Sequence, residues 1–432
     1  MPAASRRSLN PFRVLVTHRA FRLFWIGQTL SLIGTWMQQM GQGWLALELT
    51  DSATLVTLVR LMGALPVVAF SFVAGAVADR RDKLRLVFTM QALMLAEAIA
   101  LWWFTWTDHV TIAVLIALTA ANGLFSAFEI PARQSMMIEL VGRDDLHDAI
   151  ALNSSGFNLA RIVGPAIGAV VIGALGLAWC FGFNALSYLA VLLSLVLIAR
   201  ISAPVRADAA SRPLGAIWRE IGDGLRYIRR DVQVNALMKL VTVFSVCAVP
   251  YLALMPVMAR DVLGLRAGGY GGLLTSVGVG GLAGALFLAS AGQRVSRPRL
   301  LRIASFTFPT LLVAFSFAPD APVAYVILLF VGATMILNGA LANGILQSIV
   351  DDAYRGRLMA VYSFVVVGMA EVVGSGVSGP VADRIGAAWT VRGAAFLMLG
   401  YTSWAYWRGT VLRRLVVDGA RREPETARGA GA

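Results

Sequence analysis

Residues 75–85 read Gly75-Ala-Val-Ala-Asp79-Arg80-Arg81-Asp82-Lys83-Leu84-Arg85, a run of charges between two long apolar segments. The flanking segments, 53–78 and 84–106, are each longer than the roughly 20 residues that a helix needs to cross about 30 Å of hydrocarbon. Two spanning helices joined by a cationic turn at a membrane surface are therefore the structure that this stretch favours. The same pattern recurs along the chain.

The composition also fits a protein embedded in a membrane. Apolar residues make up 58% of the 432 residues and charged residues 14%, with a mean hydropathy of +0.72, whereas soluble domains carry about 25% charged residues. These helices and their loops use nearly the whole chain, so we expect no enzyme, cofactor or metal. The apolar runs predict an all-α membrane protein with twelve transmembrane helices, near 22–47, 53–78, 84–106, 110–134, 148–173, 178–200, 237–260, 268–292, 300–318, 322–347, 357–381 and 388–408.

Basic residues give the predicted orientation. The net charge is +13, but the Arg residues stand in short clusters between apolar runs, which argues against a nucleic-acid partner. With both termini in the cytoplasm, the external connections hold only Arg260, Arg266 and Arg384, as the positive-inside rule requires.

The first apolar run is too long for a signal peptide. We expect a multi-pass protein of a bacterial inner membrane, acting as a monomer.

A polar stretch divides the predicted helices into two sets of six. Apolar residues recur in it at helical spacing from Leu214 to Ile228, which predicts an amphipathic helix on the inner leaflet. The pairs Gly164 and Gly374, and Arg161 and Glu371, share an offset of 210 residues, as parallel repeats would. The predicted domains are an N-terminal half, a cytoplasmic linker, a C-terminal half and a disordered cytoplasmic tail, at 1–200, 201–235, 236–410 and 411–432.

Two motifs carry a resemblance to a known family. The loop at 75–85 resembles the signature G-x-x-x-D-R-x-G-R-[KR] of the major facilitator superfamily, with Asp82 in place of the second Gly. Gly164-Pro165-Ala-Ile-Gly168 is similar to the G-P-x-x-G motif that antiporters of this superfamily carry in the fifth span, where Pro165 would kink the helix. The resemblance implies the major facilitator fold, with two six-helix pseudo-repeats that alternate in access.

More specifically, the chain is similar to the branch that holds the enterobactin exporter and the macrolide-efflux proteins, of the transmembrane secretion effector type. The matching stretches include Gln28-Thr-Leu-Ser-Leu-Ile-Gly34-Thr-Trp36-Met-Gln38, Pro131-Ala-Arg133-Gln134 and Asn158-Leu-Ala-Arg161-Ile-Val-Gly164-Pro165. The resemblance implies export of an amphipathic, siderophore- or drug-like small molecule by proton antiport. Relatives in this branch leave a lipid or lysolipid transporter as an alternative, and a sensor or scaffold without transport is a further one.

Ionisable groups inside the apolar runs are candidates for the substrate and proton pathway, because each costs a few kcal/mol in hydrocarbon unless it is paired or hydrated. Arg161 is placed near the middle of the membrane, with Asn158 and Asn153 on the same side; a purely structural Arg is equally consistent. Helical rise puts Arg60 and Glu371 at matching depths, where they either pair and part during alternating access, form a static pair, or are unrelated. Glu97 is either a proton carrier or a structural acid.

Amides complete the predicted pathway, and a second group forms the predicted gate. Gln38 and Gln42 share a face of the first span beside Trp36 and Trp44, and either contact substrate or hold helices together. Asn122 occupies the region of the fourth span where the superfamily often has a coupling Arg. The charges and the small residue at the inner ends of the second and fourth spans either form a cytoplasmic gate or anchor the helix ends at the interface; these residues are Gly75, Asp79, Arg80, Glu129 and Arg133.

One apparent repeat of the loop signature lies near the end of the chain. Ala382-Asp383-Arg384 repeats the Ala-Asp-Arg of the first signature but falls beyond the predicted eleventh span, which ends at 381. We interpret it as a coincidence of sequence or as a habit of this branch.

Overall fold

A computed structural model of the protein describes residues 12–142, 144–201, 214–291 and 295–408. About 90% helix and no strand is found in these ranges. The predicted tail at 411–432 lies outside the described residues, as do 202–213 of the predicted linker. The helices are α1 Arg13–Thr17, α2 Arg19–Thr50, α3 Ala53–Arg80, α4 Lys83–Trp106, α5 Ile112–Val141, α6 Leu146–Leu175, α7 Ala178–Ile201, α8 Leu214–Arg230, α9 Val232–Ala253, α10 Met255–Val257, α11 Ala267–Ala291, α12 Arg297–Phe315, α13 Ala321–Ile349, α14 Arg355–Ser363, α15 Ala370–Ile385 and α16 Ala387–Trp407.

The described residues form two compact units. The first contains the described parts of Met1–Gly41 and Ala69–Arg212, and the second those of Gln42–Val68 and Pro213–Ala432. Since α2 and α3 each run through a unit boundary, both helices contribute to both units. The division of the chain into six and six helices stays a prediction.

Side chains from α2, α4, α5, α6 and α7 build the core of the first unit. Phe21 and Phe24 of α2 are fully buried among Val87, Met136 and Tyr188 of the other helices. The helix α6 lies very close to α2, because a Cβ at Gly164 would come within 2.7 Å of the Ile33 carbonyl oxygen. The other core members include Met94, Ala98, Ala132, Leu152, Val191, Leu195 and Ile198.

In the second unit, α9 packs against α15 and α16, while α13 packs against α11 and α12. Phe308 of α12 contacts Tyr251 and Phe244 of α9, with ring centroids 6.1 Å apart in both pairs. All three aromatic side chains are buried. Aromatic pairs in this edge and tilted geometry add attraction beyond the burial of apolar area.

Nine described helical segments are long and apolar enough to cross a membrane. The helix α2 is not among them, because buried amides such as Gln28, Gln38 and Gln42 lower its hydropathy. The helices α12 and α16 are also not among the nine, and both contain Arg, which lowers the mean hydropathy of a helix. The structure therefore confirms an all-helical protein with many spans, and the exact number of twelve stays a prediction.

The surface of α7 shows which faces meet lipid. Leu186, Leu189 and Leu193 are 49–61% exposed, whereas Tyr188 and Val191 on the other face are at most 2% exposed. A helix that is apolar all round and presents Leu outward is suited to hydrocarbon and not to water.

The predicted amphipathic helix is present as α8, which packs against α14 within the second unit. The rings of Tyr227 and Tyr354 stack with their centroids 4.5 Å apart, and a Cβ at Gly224 would lie 2.9 Å from the Arg357 carbonyl oxygen. A π-helical turn, Phe364–Met369, joins α14 to α15, so the rod 355–385 contains a local expansion of the helix.

The helix that contains the predicted eleventh span extends beyond position 381. The α15 helix continues to Ile385 and ends at Gly386, whose φ is +90°. Apolar Val381 and Ala382 still pack, and the first residue that needs a left-handed backbone is Gly386, so the helix ends there. Asp383 and Arg384 consequently lie inside a helix and not in a loop.

Glycines bring α11 and α13 into backbone contact. A Cβ built on Gly280 would lie 1.7 Å from the Leu329 carbonyl oxygen, and one on Gly332 would lie 2.0 Å from the Val277 carbonyl oxygen. Small residues spaced by four, as in Gly280 and Gly284, allow helices in membranes to approach closely.

We expect Gly280→Ala to lower the free energy of unfolding by about 2 kcal/mol, because the added methyl group overlaps backbone that cannot move aside. Gly339→Ala in α13 is the matched control, since its Cβ would meet open space, and it should be neutral or slightly stabilising. The fraction of monodisperse protein left after heating in detergent measures both. Equal melting of Gly280→Ala and the wild type would contradict the close packing.

Candidate functional site

A buried carboxylate lies in the middle of α4 and is held by amides from neighbouring helices. Glu97 is 4% exposed. The Gln38 Nε2 of α2 donates to Glu97 Oε1 and Oε2 at 3.2 and 3.1 Å, and Asn122 Nδ2 of α5 donates to Oε2 at 3.0 Å. Three residues that the sequence assigned separately to the pathway are therefore in one hydrogen-bonded group.

This group extends to α7 through Gln38. Its Oε1 accepts from Asn184 Nδ2 at 2.6 Å, and Asn184 Oδ1 accepts from Ser187 Oγ at 3.1 Å. Asn184 is completely buried. A Cβ at Gly34 would lie 2.5 Å from Asn184 Oδ1, so the absence of a side chain there lets α2 and α7 approach at the level of the amides.

The electrostatic character of this amide network follows from its donors. Among the described residues, none of the Lys or Arg side chains lies within ion-pair distance of Glu97. Neutral amide N–H groups stabilise the carboxylate, but they supply no compensating charge. A buried carboxylate without a cation partner readily exchanges its charge for a proton.

The second unit brings Arg60 and Glu371 together. Arg60 Nη2 and Nε donate to Glu371 Oε1 and Oε2 at 2.6 and 3.0 Å, and Ser375 Oγ donates to Oε2 at 3.1 Å. The paired oxygens make this a bidentate ion pair, the stronger geometry for Arg and carboxylate. The Arg60 side chain is 40% exposed and that of Glu371 is 19% exposed.

Asp383 of α15 makes a contact that the sequence prediction had set aside as coincidence. Its Oδ1 accepts from the Ala53 backbone N at 2.7 Å, and its Oδ2 accepts from the Thr54 N at 3.0 Å and the Ser52 Oγ at 2.9 Å. One carboxylate therefore caps the N-terminus of α3 from a helix that lies far away in the sequence. The N-terminal N–H groups of a helix favour such an anion.

On α6, the predicted residues occupy one partly buried stretch. Arg161, Asn158 and Asn153 are all of intermediate exposure, and Asn158 Nδ2 donates to the Ser154 carbonyl of its own helix at 2.9 Å. Pro165 and Gly168 are buried inside a helix that continues through the proline. A Cβ at Gly168 would meet Met37 at 3.0 Å, so the Gly-Pro motif serves close packing on α2.

The predicted cytoplasmic gate is only partly assembled in the structure. Buried Glu129 accepts from Arg133 Nε at 2.8 Å and from Gln91 Nε2 at 3.2 Å. Asp79 and Arg80, at the end of α3, are exposed. Because Arg133 lies one turn from Glu129 on the same helix, the local pair satisfies the carboxylate without α3.

The loop signature has an open surrounding at its glycine and a local cap at its second aspartate. No neighbouring atom of the described chain lies within 4 Å of the Gly75 Cβ position. Asp82 directly precedes α4 and caps it, because its Oδ1 accepts from the Arg85 N at 3.0 Å.

Gln42 belongs to the second unit and is not a member of the amide network. It is 6% exposed, and its Nε2 has no hydrogen-bond partner among the described residues. Nearby on α2, Trp44 stacks on Tyr270 with ring centroids 5.9 Å apart. No cluster of three or more metal-ligating side chains occurs in the described ranges.

The sequence prediction missed Asn184 and Ser187 of the amide network and Ser375 of the ion pair. Asn184 carried a usable signal, because a lone Asn inside the apolar run 178–200 needs a partner. Ser residues carry no such signal, since a Ser in a helix can bond to its own backbone.

Comparison with known proteins adds a family to this geometry. The sequence profile of the family described as transmembrane secretion effector matches residues 7–408. Similar curated proteins include the staphyloferrin A transporter of Staphylococcus aureus, 25% identical over 79% of this chain and 84% of that protein. The multidrug efflux pump Tap of Mycolicibacterium fortuitum is 28% identical over 79% and 84%, respectively. Macrolide efflux protein A of Streptococcus pyogenes is 22% identical over 85% and 90%.

Solved structures with the same fold are also transporters. A peptide transporter bound to alafosfalin superposes with a TM-score of 0.67 at 14% identity, covering 94% of this chain and 99% of that one. A bacterial homologue of the iron transporter ferroportin, in an inward-facing state, gives a TM-score of 0.67 at 13% identity over 89% and 99%. At these identities the likeness establishes the fold alone.

Removing one partner of the Arg60–Glu371 pair should destabilise the second unit. We expect Arg60→Ala to lower the free energy of unfolding by about 2 kcal/mol, less than for a fully buried pair, because 40% of the Arg60 side chain is exposed. The exchange Arg60→Glu with Glu371→Arg should recover part of this loss. Thermal unfolding in detergent measures it, with Ser375→Ala as a control for losing one hydrogen bond. A double exchange that unfolds as readily as either single variant would contradict the pairing.

Proposed function

The chain belongs to the transmembrane secretion effector family and is a multi-pass efflux transporter for a small molecule, and on that premise we propose that it works by proton antiport. The substrate in this proposal is an amphipathic, siderophore- or drug-like molecule that leaves the cytoplasm. The proposed topology keeps twelve spans, including α2, α12 and α16, with both termini in the cytoplasm of a bacterial cell. The chain acts as a monomer in this proposal.

The observation that carries the proton coupling is the environment of Glu97. Ionised, the carboxylate accepts from Gln38 and Asn122 and needs no further donor. Protonated, one oxygen becomes a donor and needs an acceptor, which the Gln38 Nε2 cannot be. The Gln38 amide would then rotate to present its oxygen to Glu97 and lose the bond from Asn184.

Protonation of Glu97 is in this way linked to the contact between two helices. The bond from Asn184 to Gln38 joins α7 to α2, so a proton on Glu97 weakens that contact and a proton released restores it. A transporter needs this kind of link, since the ion has to favour one arrangement of helices over another. Supporting evidence is that the network spans α2, α4, α5 and α7 within one unit.

The Arg60–Glu371 pair is proposed to open and close during alternating access. Its two partners lie on α3 and α15, and neither is fully buried. Breaking the pair at low cost requires water to replace each partner, as along an aqueous path between the helices. Arg161, with Asn158 and Asn153, remains the proposed site of substrate contact on α6.

The substrate class is supported by the relatives and by the amides. The family relatives named above transport a siderophore, several drugs or a macrolide. The buried amide of Gln42 and, two residues further along α2, the stacked ring of Trp44 suit a molecule with apolar surface and several hydrogen-bonding groups.

Glu97→Gln tests the proton coupling. The variant keeps the shape and an amide can bond to Gln38, but it cannot exchange a proton, so substrate-driven proton release should fall by about tenfold or more. Inside-out membrane vesicles with an imposed pH gradient report this as the change in a pH-sensitive dye when substrate is added. Glu139→Gln is the control, because that exposed carboxylate pairs with Lys83 outside the network. Wild-type proton release by Glu97→Gln would exclude Glu97 as the carrier.

The substrate class is tested by expressing the chain in a bacterium that lacks its own efflux pumps. We expect the intracellular level of at least one of three probes, ethidium, erythromycin or enterobactin, to fall about fivefold relative to the vector control. Correctly inserted protein that moves none of the probes would contradict this class. Transfer of a fluorescent lysolipid in liposomes without a proton gradient would instead favour the lipid alternative.

A further inference from the structure

The contact between Asp383 and α3 differs in kind from the other carboxylate caps found in the described residues. Asp82, Asp231 and Asp320 each cap the helix that follows them directly, so each cap is local. Asp383 instead reaches back about three hundred residues from the C-terminal end of α15 and accepts three hydrogen bonds at Ser52, Ala53 and Thr54. It therefore holds together two separate long helices.

A glycine one turn earlier makes this approach possible. A Cβ on Gly379 would lie 2.0 Å from Thr57 Oγ1 and 2.9 Å from the Ala53 carbonyl oxygen. Thr57 is consequently 1% exposed beneath α15. Two turns further along, Arg60 of α3 reaches Glu371 of α15, so the two helices are joined along one side by contacts of three different kinds.

The exposure of these groups shows how the contact could be made and broken. Asp383 and Ser52 are accessible to solvent, whereas Thr57 and Ala53 are buried. When the helices part, water can satisfy the carboxylate and the N-terminal N–H groups of α3, so no polar group is left stranded. Separation then mainly exposes the small packed surface around Gly379.

The same six-residue pattern stands at the end of both helices. Gly75-Ala-Val-Ala-Asp79-Arg80 ends α3, and Gly379-Pro-Val-Ala-Asp383-Arg384 ends α15. In the structure, the second copy is engaged through its Gly and its Asp, while the first copy has open space at Gly75 and an exposed Asp79. The same pattern is therefore seen twice in this structure, once packed against another helix at Gly379 and once open at Gly75.

We propose that Asp383 and Gly379 form a clasp on α3 that closes the extracellular end of the transport path and releases in each cycle. The proposal rests on the transport function and the topology given above, which place residues 52–57 and 379–385 at the extracellular side. Asp383 is a positioning residue in this scheme: it touches α3, not the substrate.

The first test measures opening directly and needs no substrate. In a background with Cys180→Ala and Cys247→Ala, Thr57→Cys reports access through its reaction with a membrane-impermeant maleimide on intact cells. Asp383→Ala should raise the labelling rate by about fivefold, the population change that loss of an N-cap produces, and Asp383→Asn should raise it less. Unchanged labelling in both variants would overturn the clasp.

Asp320→Ala is the matched control. Asp320 also caps a helix, through the Val323 N at 3.0 Å, but it joins only neighbours in the sequence. We expect the same labelling at Thr57→Cys with and without Asp320→Ala. An equal rise in the control would mean that any lost cap loosens the fold, and it would refute a specific role of Asp383.

The second test locks the clasp. Ser52 Oγ and an Asp383 oxygen are 2.9 Å apart. Because a Cys sulfur takes the place of the Asp Cγ, one bond short of that oxygen, the pair Ser52→Cys and Asp383→Cys, in the background without Cys180 and Cys247, should be joined by a short bifunctional methanethiosulfonate. Export of ethidium, or of whichever probe the wild type moves, should fall by about tenfold and return with dithiothreitol, whereas Ser52→Cys alone should not respond. Full export by the cross-linked protein would overturn release of the clasp. Absence of export by the wild type would instead refute the proposed function, and the labelling test would still decide on the clasp.

Discussion

Hydrocarbon offers no hydrogen-bond partner, and the rest of the structure follows from how the chain meets that constraint. Backbone groups are satisfied inside helices, which is why the described residues are almost entirely helical. Polar side chains inside the apolar runs must then find each other across helix boundaries. Glu97 is satisfied by amides from α2 and α5, and Glu371 is satisfied by a guanidinium from α3. The same constraint that stabilises these groups makes them sensitive to a proton or to a movement of one helix.

Close approach of backbones is the second requirement, and glycine meets it in three different settings. At Gly34 a missing side chain makes room for the amide of Asn184. At Gly280 it allows two helices to touch with no polar group involved, which favours a fixed pair. At Gly379 the missing side chain allows close packing next to the cap from Asp383. This contact is therefore close, although its polar groups are accessible to solvent. Whether a glycine contact is fixed or reversible therefore depends on the groups that surround the glycine.

Much of this architecture could be predicted from single residues, but the contacts between side chains on different helices could not. The depth of Arg60 and Glu371 followed from helical rise, because each enters the membrane from a recognisable charged or polar end. Gln38, Glu97 and Asn122 were each recognised as polar groups in hydrocarbon. Their junction depends on the rotation of three helices about their axes, which the spacing along one helix does not contain. Asp383 was misplaced because a charged Asp-Arg pair resembles a loop when the helix end is judged by hydropathy, although its carboxylate is satisfied by another helix.

The π-helical turn Phe364–Met369 has a consequence for how this protein tolerates change in length. A π-helical turn accommodates one residue more than the same stretch of α-helix. It lies between the face of α14 that meets α8, near Tyr354 and Arg357, and the carboxylate of Glu371 on α15. Loss of one residue there would therefore return the stretch to α-helical geometry and leave the two flanking faces in nearly the same relative orientation. The linker helix and the ion pair would both stay engaged, so related chains that keep both contacts can differ by one residue at this turn.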